Sequence, residues 1–288
     1  MTRLVTLLFF LTTMPCLMAA ELESIPNCKL QVTDWADGDS FLIETPEGDS
    51  FTIRLYGVDC VELHVGDATD ARRLRSQRRY FGITGFGDDT EKSIELAKSF
   101  GQMAKEETVR LLAKPFTVHT SFADGRGDGK YKRIYAFIEL SNGEDLGSAL
   151  VAKGLARAFG VSRSTYRGQS QGEMRESLAD LELQAAKRGL GIWAKTDWEK
   201  LPGERREDRE EEEALALAVD GGGKLPEGAK VNINTAARDE LMLLPGIGEV
   251  MAIRIIEGRP FKRVEDLTKV SGIGEGTLKK LRDSVVVE

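Results

Sequence analysis

The chain has 288 residues, which is enough for one large or two ordinary domains, and its formal net charge at pH 7 is −7. This mildly acidic balance excludes a protein whose whole surface is basic. Much of the net negative charge lies between Gly203 and Gly223, so the rest of the chain is closer to neutral than the total indicates.

The N-terminal segment has the pattern of a secretory signal peptide. Arg3 gives a positive start, an apolar run covers Leu4 to Leu17, and the small residues Ala19 and Ala20 follow it. The run is too short for a membrane-spanning helix, although a buried N-terminal helix or an uncleaved anchor has a similar composition. We expect a signal peptide at 1–20, export to the periplasm or the extracellular space, and no membrane attachment after cleavage.

The next part of the chain is predicted to be rich in strands and then in helices. Between Lys29 and Asp59 the pattern alternates and is interrupted twice by turn residues, which predicts a three-stranded meander. The stretch 63–89 is irregular and basic, and we expect an exposed loop with some helix. An amphipathic helix is predicted over Glu91–Ala113, followed by two strands and by two helices, the first of which comes after a turn within 142–159.

The composition changes after this segment. From Leu201 to Gly228 the chain is charged and then glycine-rich, without an aromatic residue, which is typical of a linker with a short helix at Arg209–Ala218. From Lys230 to the end, two stretches repeat one pattern, in which an apolar run is followed by Gly-Ile-Gly and then by a helix.

Acids and arginines cluster around the predicted meander. Asp39 lies in a turn, and Arg54 lies in a strand after it. Asp59 and Glu62 follow that strand, and Arg133 lies in a later one. The two aspartates can offer oxygen ligands to a hard cation, Glu62 can act as a general base on water, and the arginines can hold a phosphate. Each residue alone is more typical of a hairpin turn or a solvent-facing strand, but together they indicate phosphodiester chemistry.

The segment from Lys29 to Trp193 resembles the staphylococcal nuclease family. The stretch DGDSFLIETPEGDSFTIRLYGVDCVE resembles the family's Asp-Gly-Asp-Thr turn and its Arg-Leu-x-x-x-Asp-x-Pro-Glu motif, and DGKYKRIYAFI resembles the segment with its second catalytic arginine. The resemblance implies an α+β fold, in which a five-stranded β-barrel of the OB type packs against three helices. We expect this domain at 27–198 and a linker at 199–229.

The resemblance also implies a role for each matching residue. Ca²⁺ would be bound by Asp39, Asp59 and the backbone carbonyl of Cys60. The catalytic residues would be Arg54, Glu62 and Arg133. The residues that contact the terminal phosphate would be Lys130 and Tyr131. The implied activity is endonucleolytic hydrolysis of DNA, with RNA left open, to products that end in a 3′-phosphate.

Some features depart from the family pattern or stay open. Val61 stands where the family has a proline, and the nucleotide-packing tyrosines are replaced by Phe159, Gly160 and Ser162, so we expect a looser approach to the base and less stacking. The long 63–89 stretch has arginines that form either a phosphate-binding rim or a solvated loop, namely Arg72, Arg73, Arg75, Arg78 and Arg79. One disulfide or two separate thiols are equally compatible with the pair Cys28 and Cys60.

The C-terminal segment, 230–288, contains four glycines that allow tight turns and open helix N-termini to anions: Gly246, Gly248, Gly272 and Gly274. The stretches VNINTA, LLPGIG, RPFKRVEDL and VSGIG resemble the tandem helix-hairpin-helix domain of competence-type DNA-binding proteins. The resemblance implies a small all-α domain that binds double-stranded DNA without reading its sequence. A bundle in which Gly-Ile-Gly is only a turn is the simpler alternative.

Two functions are compatible with these motifs. The first is an exported, Ca²⁺-dependent endonuclease that a helix-hairpin-helix domain tethers to DNA. The second is an exported DNA-binding or DNA-uptake protein whose barrel does not cut. The first is favoured because every acid and arginine of the nuclease motif is present. The oligomeric state is not predicted.

Overall fold

The computed structural model describes residues 22–124, 133–218, 225, 229–236 and 238–287. The predicted signal peptide lies outside these ranges, and so do Lys130 and Tyr131. The strands of the described part are β1 (Glu23–Gln31), β2 (Ser40–Glu44), β3 (Ser50–Leu55), β4 (Val58–Cys60), β5 (Phe116–Asp124), β6 (Arg133–Glu139), β7 (Ala156–Ala158), β8 (Val231–Asn232) and β9 (Val285–Val286). Its helices are α1 (Ala68–Tyr80), α2 (Thr90–Leu111), α3 (Leu146–Ala152), α4 (Gln171–Lys187), α5 (Leu201–Ala218), α6 (Arg238–Met242), α7 (Glu249–Glu257) and α8 (Glu275–Leu281).

Five strands close into a barrel in the order β1, β2, β3, β6 and β5, with β5 returning to pair with β1. Neighbouring strands are antiparallel except for β3 and β6, which are parallel. This closed sheet with helices outside it confirms the predicted α+β fold with an OB-type barrel. The strands β4 and β7 form a separate pair beside the barrel.

The barrel is filled by apolar residues at alternate strand positions. Phe41, Ile43 and Ile53 are all buried, as is Ile138 on β6. Burial of one such side chain contributes about 1.5–3 kcal/mol, so the core provides a stable wall at whose edge charged groups can also be buried.

The register of the central strands gathers the charged residues of the motif. Ser40 on β2 is paired with Arg54 on β3, and Thr52 on β3 is paired with Arg133 on β6. Because side chains two residues apart on a strand point to the same side, Arg54 and Arg133 project from one face of the sheet.

Three helices pack around this barrel. One face of α2, with Ala97, Phe100 and Ala104, joins the barrel core, and α3 and α4 add Leu150 and Leu178. The turn and the helix predicted within 142–159 are present, but α3 ends at Ala152 and does not continue to the end of that range. The chain turns at residues 153–155 and continues as β7, which pairs with β4.

The stretch 63–89 has the helix that we expected in it, but it is less exposed than a loop. It contains α1, which Asp67 caps by accepting hydrogen bonds from the amides of Thr69 and Asp70. Leu74 and Gln77 lie on the buried face of this helix.

The acidic segment after 200 contains a longer helix than the one predicted there. This helix, α5, packs on α1 through side chains of opposite charge. Asp208 accepts a hydrogen bond of 2.8 Å from Ser76 Oγ, and Glu211 pairs with Arg75 and Arg79. The acid that the composition concentrates here therefore meets the basic face of α1.

The C-terminal unit has its own core of buried residues, among them Ile233, Leu241 and Leu281, and β8 and β9 hold its two ends together. It docks on the barrel through α7. Ile253 of α7 is fully buried within the barrel cluster. Glu257 Oε1 accepts a hydrogen bond of 3.2 Å from the Tyr56 hydroxyl.

The structure also bears on the state of the two cysteines and on the presence of membrane-spanning helices. Cys28 and Cys60 are buried free thiols, so the alternative with two separate thiols describes this fold. None of the helices in the described ranges has the length and the apolar composition needed to cross a lipid bilayer.

Candidate active site

Arg54 joins two buried aspartates at the end of β3. Its Nη1 donates to Asp39 Oδ1 at 2.5 Å, and its Nη2 donates to Asp59 Oδ1 at 2.7 Å. Gly57, with a φ of +69°, turns the chain between β3 and β4 and brings Asp59 back to the arginine. The charged residue within the apolar strand is therefore the partner of two buried acids.

A third acid, Asp37, adds negative charge at this point. Its Oδ1 accepts a hydrogen bond of 2.7 Å from the backbone amide of Ser40. Burial raises the pKa of Asp39, and the charges of Asp37 and Asp59 raise it further, although Arg54 opposes the shift. Carboxylates that repel one another in this way are stabilised when a cation lies among them.

Arg157 is a functional candidate that the sequence did not indicate. Its Nε donates to Asp59 Oδ2 at 2.8 Å, and its guanidinium lies 4.1 Å from the centre of the Phe159 ring. Burial alone would raise the pKa of Asp59, but Arg157 and Arg54 outweigh it and lower the pKa to about 2. No motif in the sequence indicates this contact. It arises because β7 pairs with β4, which sets Arg157 opposite Asp59.

Gln77 of α1 is a second residue that the sequence did not indicate. It is fully buried, and its Nε2 donates to Asp59 Oδ2 at 2.9 Å and to the Cys60 carbonyl at 2.7 Å. Its Oε1 accepts the backbone amide of Glu62 at 2.8 Å. A single glutamine in a basic helix has no pattern that would have revealed these contacts.

The predicted base, Glu62, is buried and forms an ion pair with Arg73 of α1 through its Oε1. Burial raises the pKa of Glu62, although the charge of Arg73 opposes the shift. A carboxylate with a raised pKa has a higher affinity for a proton taken from water.

Arg133 lies beside this cluster. Its Nη1 donates to Ser40 Oγ at 3.0 Å, and Arg54 Nη1 lies 3.4 Å from the same hydroxyl oxygen. The two arginines line one cleft of about 1010 Å³, together with Asp59, Arg73 and Arg157. Lys130 and Tyr131, which were predicted to contact phosphate, lie outside the described residues.

The oxygens predicted to bind Ca²⁺ are mutual neighbours. Asp39 Oδ2 accepts the Cys60 amide at 2.6 Å, and the Gln77 amide bridges Asp59 and the Cys60 carbonyl. All are hard oxygens, so this donor set fits a hard divalent cation. Asp59 Oδ2 already accepts two hydrogen bonds, from Gln77 and Arg157, so Oδ1 is the oxygen of Asp59 that such a cation would contact. Only two of the three groups are side chains. In the described part of the chain, no three His, Cys, Asp or Glu side chains form a metal-binding group.

The Cys60–Val61 segment is held by its neighbours in the absence of a proline. Val61 is buried, and its carbonyl oxygen would lie 2.6 Å from a Cβ placed on Gly101 of α2. Such a close approach allows only glycine at position 101. The backbone that leads to Glu62 is thus pressed between α2 on one side and the Gln77 amide on the other.

One aromatic ring remains in the cleft at the positions of the missing tyrosines. Phe159 lines the cleft and is 48% exposed. Gly160 has no side chain, and Ser162 is buried. The ring of Phe159 is therefore the surface that these three positions offer to a nucleobase.

The arginines of the long stretch have different environments, so neither expectation describes all of them. Arg73 pairs with Glu62, and Arg78 is buried and donates to Ser93 Oγ at 2.8 Å. Arg75 and Arg79 pair with Glu211 on α5. Arg72 is exposed.

The two Gly-Ile-Gly motifs of the C-terminal unit have the same local structure. Gly246 and Gly272 have φ values of +79° and +99°, and Gly248 and Gly274 are the N-caps of α7 and α8. All four glycines are exposed, while the isoleucine between each pair is buried. A Cβ at Gly246, Gly248 or Gly274 would meet no atom within 4 Å, so another molecule can approach the backbone closely at these positions.

Two family models match the chain. The model described as "Staphylococcal nuclease homologue" matches residues 52–195, half of the chain, and the model described as "Helix-hairpin-helix motif" matches residues 227–286. The first range contains most of the charged cluster, and the second contains both Gly-Ile-Gly motifs.

Known relatives match shorter segments. ComE operon protein 1 of Bacillus subtilis (strain 168) is 42% identical over 84 residues, 26% of this chain and 41% of that protein. Endonuclease/exonuclease/phosphatase family domain-containing protein 1 of Homo sapiens is 44% identical over 62 residues, 20% of this chain and 11% of that protein. A deoxyribonuclease of Thioalkalivibrio sp. (strain K90mix) is 42% identical over 52 residues, 18% of this chain and 14% of that protein. The chain therefore spans less than half the length of each of these relatives.

Proposed function

Since the chain belongs to the staphylococcal nuclease homologue family, we propose that it is an endonuclease that hydrolyses phosphodiester bonds of DNA. The observation that carries this proposal is the convergence of Asp39, Arg54, Asp59 and Glu62 beside one cleft, with Arg133 on the same face. The printed name of the Thioalkalivibrio relative, a deoxyribonuclease, supports DNA as the substrate. RNA remains a second substrate to test.

In the proposed reaction, Arg54 and Arg133 hold the scissile phosphate. Their guanidinium groups can donate two hydrogen bonds each to phosphate oxygens and stabilise the negative charge that grows in the transition state. Both arginines already share Ser40 Oγ, so they are poised on one side of the phosphate.

Glu62 would take a proton from the attacking water. The bond to Arg73 uses Oε1, so the base would act through Oε2. The water oxygen bonds to phosphorus while the bond from phosphorus to the 5′ oxygen breaks. The departing 5′ oxygen takes a proton from solvent water, and Glu62 returns its proton to solvent. The products would be a 5′-hydroxyl and a 3′-phosphate.

Asp39, Asp59 and the Cys60 carbonyl would hold Ca²⁺, because their oxygens are neighbours and suit a hard cation. When bound, Ca²⁺ supplies a Lewis acid for the phosphate. The positive charge of Ca²⁺ would also relieve the repulsion from Asp37 and Asp59, which adds to the effect of burial in raising the pKa of Asp39.

The helix-hairpin-helix unit would grip the DNA backbone without reading bases. Backbone amides at the exposed glycines with open space around them, Gly246, Gly248 and Gly274, would donate to phosphate oxygens. Because α7 is docked on the barrel and Arg238 of α6 lines the cleft, bound DNA would be presented next to the catalytic groups rather than held on a free tether.

We also propose that the protein is exported to the periplasm or the extracellular space, on the signal-peptide pattern of residues 1–20. The test is N-terminal sequencing of the protein recovered outside the cytoplasm. The expected first residue is Glu21, and a sequence that begins at Met1 or Thr2 would contradict this proposal.

Cleavage of supercoiled plasmid tests the enzyme proposal. Wild-type protein in millimolar Ca²⁺ should nick and linearise the plasmid, and a chelator or Glu62→Gln should abolish cutting. Glu176→Gln, at an exposed position of α4 that also lines the cleft, is the matched control and should cut like the wild type. Intact plasmid with the wild-type protein would leave a DNA-binding or uptake protein as the function.

Gly248→Glu combined with Gly274→Glu tests the DNA grip. Both positions have negative φ and open space, so the fold should tolerate the change, while the added charge repels phosphate. We expect weaker retention of long duplex DNA in a mobility-shift assay. The alanine pair at the same positions is the control, and equal retention by both pairs would show that these amides do not bind DNA.

A further inference from the structure

The side-chain amide of Gln77 forms hydrogen bonds with three neighbouring parts of the candidate site. Both Nε2 hydrogens are engaged, one by the Asp59 carboxylate and one by the Cys60 carbonyl, and Oε1 accepts the Glu62 amide. A side-chain amide has two donor hydrogens and one acceptor oxygen, and here all are satisfied in a fully buried position.

We propose that Gln77 is a positioning residue for phosphodiester cleavage. It holds the cation-binding oxygens of Asp59 and Cys60 in a constant relation to the backbone that presents Glu62. It touches neither substrate nor reacting atoms, so it acts through these three residues. This inference rests on the proposed nuclease function and extends it to a helix that the family resemblance did not explain.

The hydrogen bonds from Gln77 act on the orientation of the oxygens. Gln77 and Arg157 both donate to Asp59 Oδ2, so they orient this carboxylate with Oδ1 toward the cation. The bond from Gln77 to the Cys60 carbonyl leaves the second lone pair of that oxygen for the cation. Partners of this kind typically change metal affinity or activity by about 10–100-fold when they are removed. The contact with the Glu62 amide joins the base to the same unit, so the cation site and the base would move together.

The position of Gln77 depends in turn on α5. Glu211 pairs with Arg75 and Arg79, Asp208 accepts from Ser76 Oγ, and Arg205 Nε donates to the Tyr80 carbonyl at 2.9 Å. These contacts hold α1 from the side opposite the active site, because Leu74 and Gln77 face inward. The acidic segment would thus support the catalytic site through α1.

The test is Gln77→Met, which retains length but not the hydrogen bonds, in the full-length protein. We expect Ca²⁺ affinity, measured by titration calorimetry without DNA, to fall by about 10–100-fold. At saturating Ca²⁺, kcat on plasmid should fall and KM should change little, because Arg54 and Arg133 still bind phosphate. Gln77→Asn retains the amide group on a shorter side chain, so its Ca²⁺ affinity should fall less than that of Gln77→Met.

Gln31→Met is the matched control, because Gln31 also donates to a carboxylate, Glu44 Oε2 at 2.7 Å, and that carboxylate is not part of the candidate site. Its Ca²⁺ affinity and kcat should equal those of the wild type. Glu211→Ala should shift both quantities in the direction of Gln77→Met, to a smaller extent.

Three results would overturn the inference. Unchanged Ca²⁺ affinity and kcat in Gln77→Met would show a structural role only, and tighter Ca²⁺ binding would show that the amide competes with the cation. Failure of both Gln77 variants to fold, by circular dichroism, would show that the residue is needed for stability. Failure of the proposed function looks different, because the wild-type protein itself would then leave DNA intact.

Discussion

Asp59 accepts hydrogen bonds from three donors, and this set explains how a buried carboxylate stays charged. Burial disfavours the ionised form, but Arg54, Arg157 and Gln77 each donate to it, and the pKa falls to about 2. Asp39, with one guanidinium partner and two acidic neighbours, has its pKa raised instead. Both aspartates are buried, so the difference between their pKa values comes from their charged neighbours: two guanidinium groups donate to Asp59 and one donates to Asp39.

Arg157→Ala should strongly destabilise the fold. The change removes a buried partner and leaves the Asp59 carboxylate less well compensated, so the free energy of unfolding should fall by about 3–5 kcal/mol in urea titrations. Arg110→Ala is the matched control, because its pair with Glu107 is exposed to solvent and should contribute little. Similar losses for the two variants would show that the buried pair is not a stabilising contact.

Helices from three parts of the chain enclose the candidate site. The helix α1 provides Gln77 and Arg73, α5 supports α1, and α2 presses Gly101 against the Val61 carbonyl. Each element makes one side of the pocket that holds the backbone before Glu62. The backbone position of Glu62 is therefore set by the packing of these helices, in the absence of a proline at position 61.

Gly101→Ala should disturb this packing. The new Cβ would lie 2.6 Å from the Val61 carbonyl oxygen, so α2 or the site backbone must move, and we expect a loss of about 1–3 kcal/mol in stability together with lower plasmid cleavage. Gly172→Ala on α4 is the control, because its Cβ meets no atom within 4 Å and alanine favours the helix by about 0.5–1 kcal/mol. Equal stability of the two variants would contradict this account.

At the scale of the whole molecule, the C-terminal unit is docked and not merely linked. Ile253 is buried in the barrel cluster, and Glu257 contacts Tyr56 and Arg163. Burial raises the pKa of Glu257, and the nearby Arg163 opposes this shift. The two units therefore share an interface with an apolar centre and a polar edge, which restricts the orientation of bound DNA relative to the cleft.

Ile253→Ala should separate the unfolding of the two units. Loss of the buried side chain costs about 2–5 kcal/mol, and this cost falls on the interface, so calorimetry should resolve two transitions. Ile255→Ala is the control on the same helix, because Ile255 packs in the core of the C-terminal unit. It should lower the transition of that unit without the same loss of docking, and a single shared transition in both variants would contradict the interface.

Much of the fold could be predicted from sequence, and the failures have physical causes. Alternation and turn residues indicated β2 and β3, and the repeated Gly-Ile-Gly indicated the turns before α7 and α8. The stretch 63–89 and the acidic segment were less well predicted, because their charges resemble solvated loops or linkers. These charges are paired in the folded protein by contacts between the two helices, such as those of Arg75 and Arg79 with Glu211, which lies far along the chain.

The sequence by itself determined which chemistry is possible. The carboxylates of Asp39, Asp59 and Glu62 and the guanidinium groups of Arg54 and Arg133 are residue types that suit a cation and a phosphate, and their motif carries this information locally. Tertiary structure alone decided which other groups complete the site. Gln77 and Arg157 are separated from Asp59 by 18 and 98 residues, and contacts at such separations arise from packing and strand register, which leave no periodic trace in the chain.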